Sequence, residues 1–185
     1  MTAKARQVLE DAEAALQTMH DCEYGPEWRW RWAAVVSLLR AVGHVLDKVD
    51  AGSNSALRQV VDERWAALTE TRPEPAIFWQ FVEDERNSVL KEYRFRGQHA
   101  SGHAVTSIWT YLPDGTKVEQ SAEELTDIHL HVFDTGPYRG RNQLEVAAEA
   151  VLWWTSYLEG IDAKAAAAGR AGGRTGTAAA NKGIS

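Results

Sequence analysis

A helical spacing of apolar residues, repeated in four separate segments before residue 96, constrains the fold of this chain more than any other feature. Apolar residues fall on every third or fourth position in residues 3–20 and again in residues 28–46, which predicts two amphipathic helices. A third helix is predicted after "AGSN", with Ser53 or Ser55 as its N-cap, and a fourth over about residues 75–95. Short connections between such helices favour an up-down bundle.

The pattern changes at Gly97, where β-branched and aromatic residues replace the helical spacing. "HAVTSIWTYLPDGTKVE" has such residues on both sides of Pro-Asp-Gly, which predicts a hairpin around a type I turn with a glycine bulge. "SAEEL" predicts a short helical turn opened by a capping box. The strict alternation in "DIHLHVF" predicts a third strand, and "NQLE" is a further capping box that opens a final helix through Leu158.

Together these patterns predict a mainly α fold: an up-down helical bundle of four to five helices with a small antiparallel β insertion at about residues 100–134. Residues 1–162 suit a single domain, because a chain of 185 residues is long enough for one sizeable core. Residues 163–185 are rich in Ala and Gly and lack apolar core residues, which predicts a disordered basic tail.

The net charge of −6 is unevenly distributed between these two parts. The tail contains four basic residues and no acid, so residues 1–162 carry −10. A body this acidic does not fit a protein that binds duplex nucleic acid without specificity, since such binding needs a basic surface. Any contact with RNA must therefore come from a local basic site.

Several functional classes have no signature in the sequence. No apolar run reaches the roughly 18 residues of a spanning helix, and the N-terminus does not have the pattern of a secretory signal, so a cytoplasmic protein without membrane association is expected. The single cysteine, Cys22, excludes an intramolecular disulfide and a cysteine-based zinc site. Nucleotide-binding glycine loops and the common hydrolase motifs are absent, so no nucleotide or other cofactor is predicted.

One of the predicted helices carries a charged residue on its apolar stripe. In "ERNSVLKEY", residues 85–93, the positions that follow Val82 at helical spacing are Arg86, Leu90 and Tyr93. Arginine is seldom buried without a partner. Arg86 therefore pairs with a carboxylate of a neighbouring helix, belongs to a solvated face, or is a functional cation.

"RNSVLKEY" resembles the R-x4-H-x-Y signature of HEPN-domain proteins, which are helical bundles. In that family an Arg, often followed by Asn, precedes a His on a helix that usually lies at a dimer interface, so that two copies of the motif form one cleft. Many members are metal-independent RNases of toxin–antitoxin, CRISPR-linked and phage-defence systems. The resemblance carries over Arg86, Asn87 and Tyr93, whereas Lys91 stands at the position of the catalytic histidine.

The residue types of the signature suit the cleavage of RNA. A 2′-hydroxyl must lose a proton to attack the adjacent phosphate, and histidine titrates near neutral pH. The fork of an arginine matches the charge that develops on the phosphorane. An unperturbed lysine has a pKa of roughly 10.4 and is a cation at pH 7, so a lysine at this position does not replace the histidine as a base.

The resemblance therefore implies a HEPN-like binding protein rather than a catalyst, which acts as a homodimer or with a protein partner in a toxin–antitoxin, phage-defence or prophage setting. One alternative is a metal-independent endoribonuclease that uses Arg86 and Asn87 together with Lys91 or a histidine from elsewhere. The other alternative is a structural bundle without a catalytic role. RNA is a candidate ligand of the first two.

Four histidines are candidate ligands of a metal site. His129 and His131 flank Leu130 on the predicted third strand and so share a face, and His99 and His103 lie just before the hairpin; histidines of this kind can ligate a divalent ion. Alternatively, Leu130 and its alternate neighbours face the core while both histidines face water. The second interpretation predicts no bound metal.

Two further basic segments are candidates for contact with a partner or a nucleic acid. In "WRWRW", residues 28–32, Trp30 lies off the apolar seam, where it packs on another helix or, beside two arginines, stacks on a base. An unmatched aromatic surface formed by Trp30, Trp153 or Trp154 also predicts a homodimer. Arg139 and Arg141 in "GPYRGR" are positioned in a predicted loop and could bind an anion.

Overall fold

The computed structural model describes residues 1–175, except for the side chains of residues 101–108, 119–129 and 171–175. This part of the chain forms five α-helices and one two-stranded antiparallel sheet, which confirms the predicted mainly α bundle with a small β insertion. The helices are α1 (Ala3–Gln17), α2 (Pro26–Val45), α3 (Ser55–Glu70), α4 (Asp84–Glu92) and α5 (Gln143–Thr175), and the strands are β1 (Gly97–Tyr111) and β2 (Lys117–Phe133).

Irregular turns extend two of the helices. α2 continues into a π-helical turn, Leu46–Asp50, and then a 3-10 turn, Ala51–Ser53. A π-helical segment, Ile77–Glu83, leads directly into α4. α4 ends where Tyr93 adopts a left-handed conformation with φ of +50°, so the fourth helix stops short of the predicted boundary at residue 95.

The core is built from the apolar stripes that the sequence spacing predicts. α2 contributes the largest side chains, since Trp28 and Trp32 are fully buried and their ring centroids lie 5.5 Å apart. An aromatic side chain of this size buries on the order of 200 Å², so α2 forms the centre of the bundle, and α1 and α5 pack against it. The buried residues that α1 and α5 contribute include Ala5, Leu9, Ala12, Leu16, Val146, Ala147, Ala150, Trp154, Leu158 and Ile161.

The first turn of α1 is held by two carboxylates from distant parts of the chain. Asp50 accepts hydrogen bonds from the backbone N–H groups of Lys4 (3.1 Å) and Ala5 (2.9 Å). Asp162 of α5 accepts from the backbone N–H of Thr2 at 2.9 Å and from its hydroxyl at 2.8 Å. Because N–H groups at a helix start have no partner within the helix, the two carboxylates fix α1 against the rest of the bundle.

The N-cap of α3 is Asn54, whose side-chain oxygen accepts a hydrogen bond from the backbone N–H of Leu57 at 3.0 Å. The prediction of Ser53 or Ser55 is therefore wrong by one residue. Ser55 is the first helical residue, and the hydroxyl of Ser53 donates to the Asp50 carbonyl oxygen at 3.2 Å. Asparagine and serine cap helices about equally well, so residue preference alone does not distinguish the three neighbouring candidates.

The β insertion is a single long hairpin rather than three strands. β1 pairs with β2 from Gly97 opposite Phe133 to Tyr111 opposite Lys117, and both "SAEEL" and "DIHLHVF" belong to β2. The predicted helical turn and the separate third strand are therefore wrong, because β1 offers this segment a continuous row of backbone partners that outweighs a local capping pattern. Gly115 has a φ of +83°, which fits the predicted turn at Pro-Asp-Gly.

At the end of β2, the face of the strand that packs on the core is the opposite of the one that the sequence pattern predicts. Leu130 is 48% exposed, whereas His131 and Phe133 are buried. Phe133 packs edge-to-face against Trp32 and Phe81, with ring centroids 6.5 and 6.1 Å away. Since a shift of one residue exchanges the two faces of a strand, burial of Phe133 brings His131 inward as well, and the prediction that it faces water is wrong.

α5 continues past Asp162 to Thr175, into the segment for which the composition predicts disorder. Alanine has the highest helix propensity of all residues, which favours continuation of the helix through this Ala-rich stretch. Lys164 forms an ion pair with Glu63 of α3, so the extension contacts the bundle. Residues 176–185 of the predicted tail lie outside the described residues. Among the helices described, none is both long and apolar enough to cross a membrane.

Candidate functional site

α4 places the "ERNSVLKEY" motif with its apolar stripe facing outward. Glu85 is only 2% exposed and Val89 is buried, whereas Leu90 is 47% and Tyr93 71% exposed. Arg86 is partly exposed on the same outer side. The interpretation of Arg86, Leu90 and Tyr93 as an inner stripe is therefore wrong, because the neighbouring helical stripe through Glu85 and Val89 faces the core.

The buried charged residue of the motif is Glu85, which the sequence reasoning missed. Trp32 Nε1 donates a hydrogen bond to Glu85 Oε1 at 3.0 Å, and Arg96 Nε lies 4.0 Å from Glu85 Oε2. Burial raises the pKa of the Glu85 carboxyl, and the hydrogen bond from Trp32 opposes part of that rise. Glu85 thus supplies an acceptor for a buried indole N–H, which is a structural role.

Arg86 has no carboxylate partner among the residues whose side chains are described. Its Nη1 donates a hydrogen bond to Asn87 Oδ1 at 3.0 Å, so the two residues that the HEPN resemblance singles out contact each other. Lys91 is exposed, farther along the same helix. The Arg86 guanidinium is therefore held by a neutral amide, which occupies one of its five N–H donors.

Two side chains of α2, Arg40 and His44, lie within electrostatic reach of Arg86. Burial lowers the pKa of Arg40, the charge of Arg86 lowers it further, and Glu83 opposes the effect. Burial also lowers the pKa of His44, and the charges of Arg40 and Arg86 act in the same direction. We call Arg40, His44 and Arg86 the cationic cluster; at pH 7 His44 is its neutral member.

An aromatic group lies at the other end of α4. The Arg29 side chain interacts with the hydroxyls of Tyr93 and Tyr24, which raises the pKa of Arg29. The Arg29 guanidinium carbon is 5.9 Å from the centroid of the Tyr24 ring, and both tyrosines are exposed. This end therefore combines a cation with two accessible aromatic rings.

The cationic cluster and the aromatic group lie toward opposite ends of one side of the α2–α4 pair, whose helices pack antiparallel. Arg29 near the start of α2 meets Tyr93 at the end of α4, and Arg40 near the end of α2 lies close to Arg86 near the start of α4. Arg29 and Arg40 are about 16 Å apart at the helical rise of 1.5 Å per residue. We call this surface the α2–α4 face; its members are Tyr24, Arg29, Arg40, His44, Arg86 and Tyr93.

No family model, curated protein or solved structure matches this chain.

The other predicted contact residues lie in different environments. Trp30 is 60% exposed, and the Arg31 guanidinium carbon is 5.5 Å from the centroid of its ring. Arg139 and Arg141 are exposed in the loop before α5, where Arg141 forms an ion pair with Glu149. The charge of Arg141 is thus balanced by a partner within the chain, unlike the charges of the α2–α4 face.

Two of the four histidines meet at the base of the hairpin. His99 Nδ1 and His131 Nδ1 lie 2.7 Å apart, so one ring donates a hydrogen bond to the other. Burial, followed by the charge of His131, lowers the pKa of His99 to about 4. Tyr24 stacks on His99 with ring centroids 3.6 Å apart, and His131 stacks on Trp28 at 5.1 Å.

The side chains of His103 and His129 lie outside the described residues. In the remainder of the chain that the structure describes, no group of three or more His, Cys, Asp or Glu side chains is placed to hold a metal ion.

The sequence reasoning missed Arg40 and His44 as members of a site. A signal was present, since Arg29, Arg40 and His44 recur at helical spacing on the polar side of the α2 seam. That spacing indicates a basic stripe on α2, but it does not indicate that the stripe lies beside Arg86.

Proposed function

We propose that this chain is a HEPN-like binding protein that holds single-stranded RNA along the α2–α4 face. The observation that carries the proposal is the alignment of three arginines on this face, each without an ion-pair partner among the described residues, in a chain with a net charge of −6.

The charge arrangement favours a phosphate-bearing ligand. Arg29, Arg40 and Arg86 each keep free donors, and the arginine fork matches two phosphate oxygens. Several other arginines of the chain are neutralised internally: Arg6 binds Asp162, Arg58 binds Asp47, and Arg141 binds Glu149. Arg29, Arg40 and Arg86 differ from the other arginines without an ion pair because they lie along one stripe, while the acidic remainder repels the second strand and flanking phosphates of a duplex.

The aromatic group favours unpaired bases. Tyr93 is 71% exposed beside Arg29, and an unpaired base can stack on such a ring; the Tyr24 ring already stacks on His99 with centroids 3.6 Å apart. Base–aromatic stacking contributes about 1–3 kcal/mol per base and depends little on base identity. The face therefore suits a short single-stranded segment, bound through its phosphates at the cationic cluster and through a base at Tyr93.

The resemblance to HEPN proteins adds the biological setting of the proposal. It implies a cytoplasmic role in a toxin–antitoxin, phage-defence or prophage system, and a homodimer in which two motif-bearing helices meet. Light scattering at micromolar concentration should then give about twice the mass of the chain. A monomer mass at every accessible concentration would remove the dimer from the proposal and leave RNA binding by a single chain.

His44 supports a second candidate function, metal-independent cleavage of RNA. Its imidazole is neutral at pH 7 because burial and the adjacent arginine charges lower its pKa, so it can accept the proton that Lys91 cannot. The 2′-oxygen would attack the adjacent phosphorus while its proton passes to His44. Arg86 would stabilise the phosphorane charge, and the 5′-oxygen would leave with a proton from solvent, which yields a 2′,3′-cyclic phosphate.

Titration of a fluorescently labelled single-stranded RNA tests the binding proposal. Replacement of Arg40 or Arg86 by Gln should weaken binding by about tenfold, as expected for a charged hydrogen bond of about 1.5 kcal/mol. Each replacement should also reduce the slope of log affinity against log salt by about 0.7 for every phosphate that the variant no longer neutralises. Tyr93→Ala should weaken binding with little change in that slope, whereas Tyr93→Phe should keep the wild-type affinity.

Arg141→Gln is the matched control, because Arg141 is an exposed arginine that already has a carboxylate partner. It should leave affinity and salt slope unchanged. Equal weakening of RNA binding in Arg141→Gln and Arg86→Gln would contradict the assignment of the site to the α2–α4 face. Absence of saturable binding at 50 mM salt would leave a protein partner or a purely structural role for the bundle.

Cleavage is tested separately, by assay for a 2′,3′-cyclic phosphate product in the presence of a chelator. If His44 is the base, the rate should rise with pH through a value below the ordinary histidine pKa of 6.5 and then stay level. His44→Ala should abolish the product, while Lys91→Gln should not. Binding without a cyclic product would leave RNA binding as the function.

A further inference from the structure

A cavity of about 240 Å³ lies between α2, α3, α5 and the turn that follows α2. Its aromatic walls are Trp65 of α3 and Trp154 and Tyr157 of α5, and Arg40 and His44 line it from α2. It is separate from the outer surface formed by Tyr24, Arg29 and Tyr93, although Arg40 and His44 belong to both the cavity and the α2–α4 face. We propose that this cavity binds a small planar organic anion, an aromatic ring or fused ring pair that bears a carboxylate.

One cation of the cavity lining, Arg40, favours an anionic ligand. Arg58 lines one side, but its guanidinium pairs with Asp47 and Asp62, which also line the cavity. Arg40 makes no ion pair with any described residue and is attracted only at longer range by Glu83, so its guanidinium is the lining cation that can bind a ligand directly. A carboxylate can take two hydrogen bonds from its fork.

The walls specify a planar ligand. Trp154 is buried and Tyr157 partly buried, so their rings are fixed by the core. Trp65 is 44% exposed and closes the outer side. Gly43 lets Trp154 approach α2 closely, since a Cβ atom there would lie 3.0 Å from Trp154 Cη2 and 3.5 Å from Arg40 Nη1.

The volume limits the size of the ligand. A cavity of about 240 Å³ corresponds to at least about eight water molecules at roughly 30 Å³ each. It is smaller than the roughly 300–1,000 Å³ of pockets that hold drug-sized molecules. One or two fused rings with a short acid side chain fit this range, whereas a dinucleotide does not.

Calorimetric titration with indole-3-acetate, and with its neutral analogue indole-3-acetamide, tests the proposal. The wild-type protein should bind the acid at one site, at least tenfold more tightly than the amide. Arg40→Gln should weaken binding of the acid at least tenfold and reduce the preference for acid over amide. Trp65→Leu should weaken both ligands by similar factors, because it removes a wall and no charge.

The controls separate this site from the α2–α4 face and from loss of the fold. Arg29→Gln changes an arginine of the same helix outside the cavity and should leave binding of indole-3-acetate unchanged. Trp65 is half exposed, so Trp65→Leu keeps a folded protein even where Arg40→Gln does not; far-UV circular dichroism checks both. The proposal would be overturned by equal affinity for acid and amide, or by unchanged binding in Arg40→Gln or in Trp65→Leu. It would also be overturned if indole-3-acetate gave no saturable heat up to 10-millimolar ligand, on the order of the weakest specific affinities. None of these outcomes depends on RNA binding.

Discussion

Replacement of Glu85 by Ala should destabilise the fold far more than replacement of Arg86 by Ala, although the two residues are neighbours in sequence. Glu85 is buried and accepts a hydrogen bond at 3.0 Å from Trp32, whose side chain is itself fully buried. Arg86 is partly exposed and bonds to the neutral amide of Asn87. The outcome therefore reports which face of α4 is turned to the core.

The expected magnitudes follow from these contacts. Glu85→Ala leaves the buried Trp32 N–H without its acceptor, at a cost of about 1–3 kcal/mol. It also removes buried side-chain carbon, at about 0.8 kcal/mol per methylene, so the total loss should be about 3 kcal/mol. Arg96 adds little to this cost because its side chain is 20% exposed and can reach water. Arg86→Ala should cost less than about 1 kcal/mol, as is usual for a surface substitution.

Glu85→Gln separates the hydrogen bond from the charge. The amide keeps an acceptor for Trp32 but does not titrate, so its stability at pH 7 should lie within about 1 kcal/mol of the wild type. Because burial raises the pKa of Glu85 above its ordinary value of 4.5, the folded wild type binds more protons than the unfolded chain between pH 4.5 and the raised pKa. Wild-type stability should therefore fall relative to Glu85→Gln as pH rises through the raised pKa.

Urea unfolding followed by far-UV circular dichroism at pH 5 and pH 8 measures these differences. The wild-type slope against urea serves as the check that each variant unfolds in the same two-state manner. An equal loss of stability for Arg86→Ala and Glu85→Ala would show that Arg86 faces the core, which would refute the assignment of the α2–α4 face. An identical pH dependence of wild type and Glu85→Gln would refute the buried titration of Glu85.

Two further predictions concern the histidine pair and the start of α1. Burial lowers the pKa of His99 to about 4, so the unfolded chain binds more protons than the folded chain between about pH 4 and 6.5. The free energy of unfolding should therefore fall as pH is lowered through that window, by about 1–2 kcal/mol after allowance for solvent screening. His99→Phe should show a weaker pH dependence of chemical unfolding in this window, and an unchanged pH dependence would contradict the buried titration of His99. Asp162→Ala should destabilise the protein by about 1–2 kcal/mol, because it removes the acceptor for Thr2 at the start of α1. Truncation after Asp162 keeps this acceptor and removes the exposed Lys164–Glu63 pair, so it should shift the melting temperature by only a few degrees. A larger destabilisation on truncation than in Asp162→Ala would contradict this account of the start of α1.

The sequence predicts the buried face of a helix correctly where only one apolar stripe fits the spacing. The α2 seam is such a case, because Trp28, Trp32 and Leu39 share a single apolar stripe and all are buried. On α4 two stripes compete: Val82 is followed by Val89 on one and by Leu90 on the other. The structure selects the stripe with Glu85, since this residue finds its partner Trp32 53 positions away in sequence, a contact that no local spacing reveals.

The same limit applies to the end of β2 and to the site. Alternation predicts a strand, but it does not say which face is buried, and the apolar side chain of Leu130 indicates the wrong one because Phe133 is the residue that docks on the bundle. The α2–α4 face arises only when two helices pack side by side. Its members Arg40 and Arg86 are far apart in sequence, so the motif on α4 predicts half of the site and the packing supplies the other half.

The unbalanced charge of Arg40 is the observation that is hardest to reconcile with a purely structural bundle. Burial and the like charge of Arg86 both lower the pKa of Arg40, which means that its charged form is disfavoured where it lies. The attraction of Glu83 opposes the effect of burial and outweighs the repulsion from Arg86, although Arg40 has no direct ion pair among the described residues. A fold optimised for stability alone would have a methionine in place of Arg40, or an acid paired directly with the arginine. An anion bound at Arg40 would accept hydrogen bonds from the guanidinium and oppose the effect of burial, so binding would stabilise the charged form of Arg40.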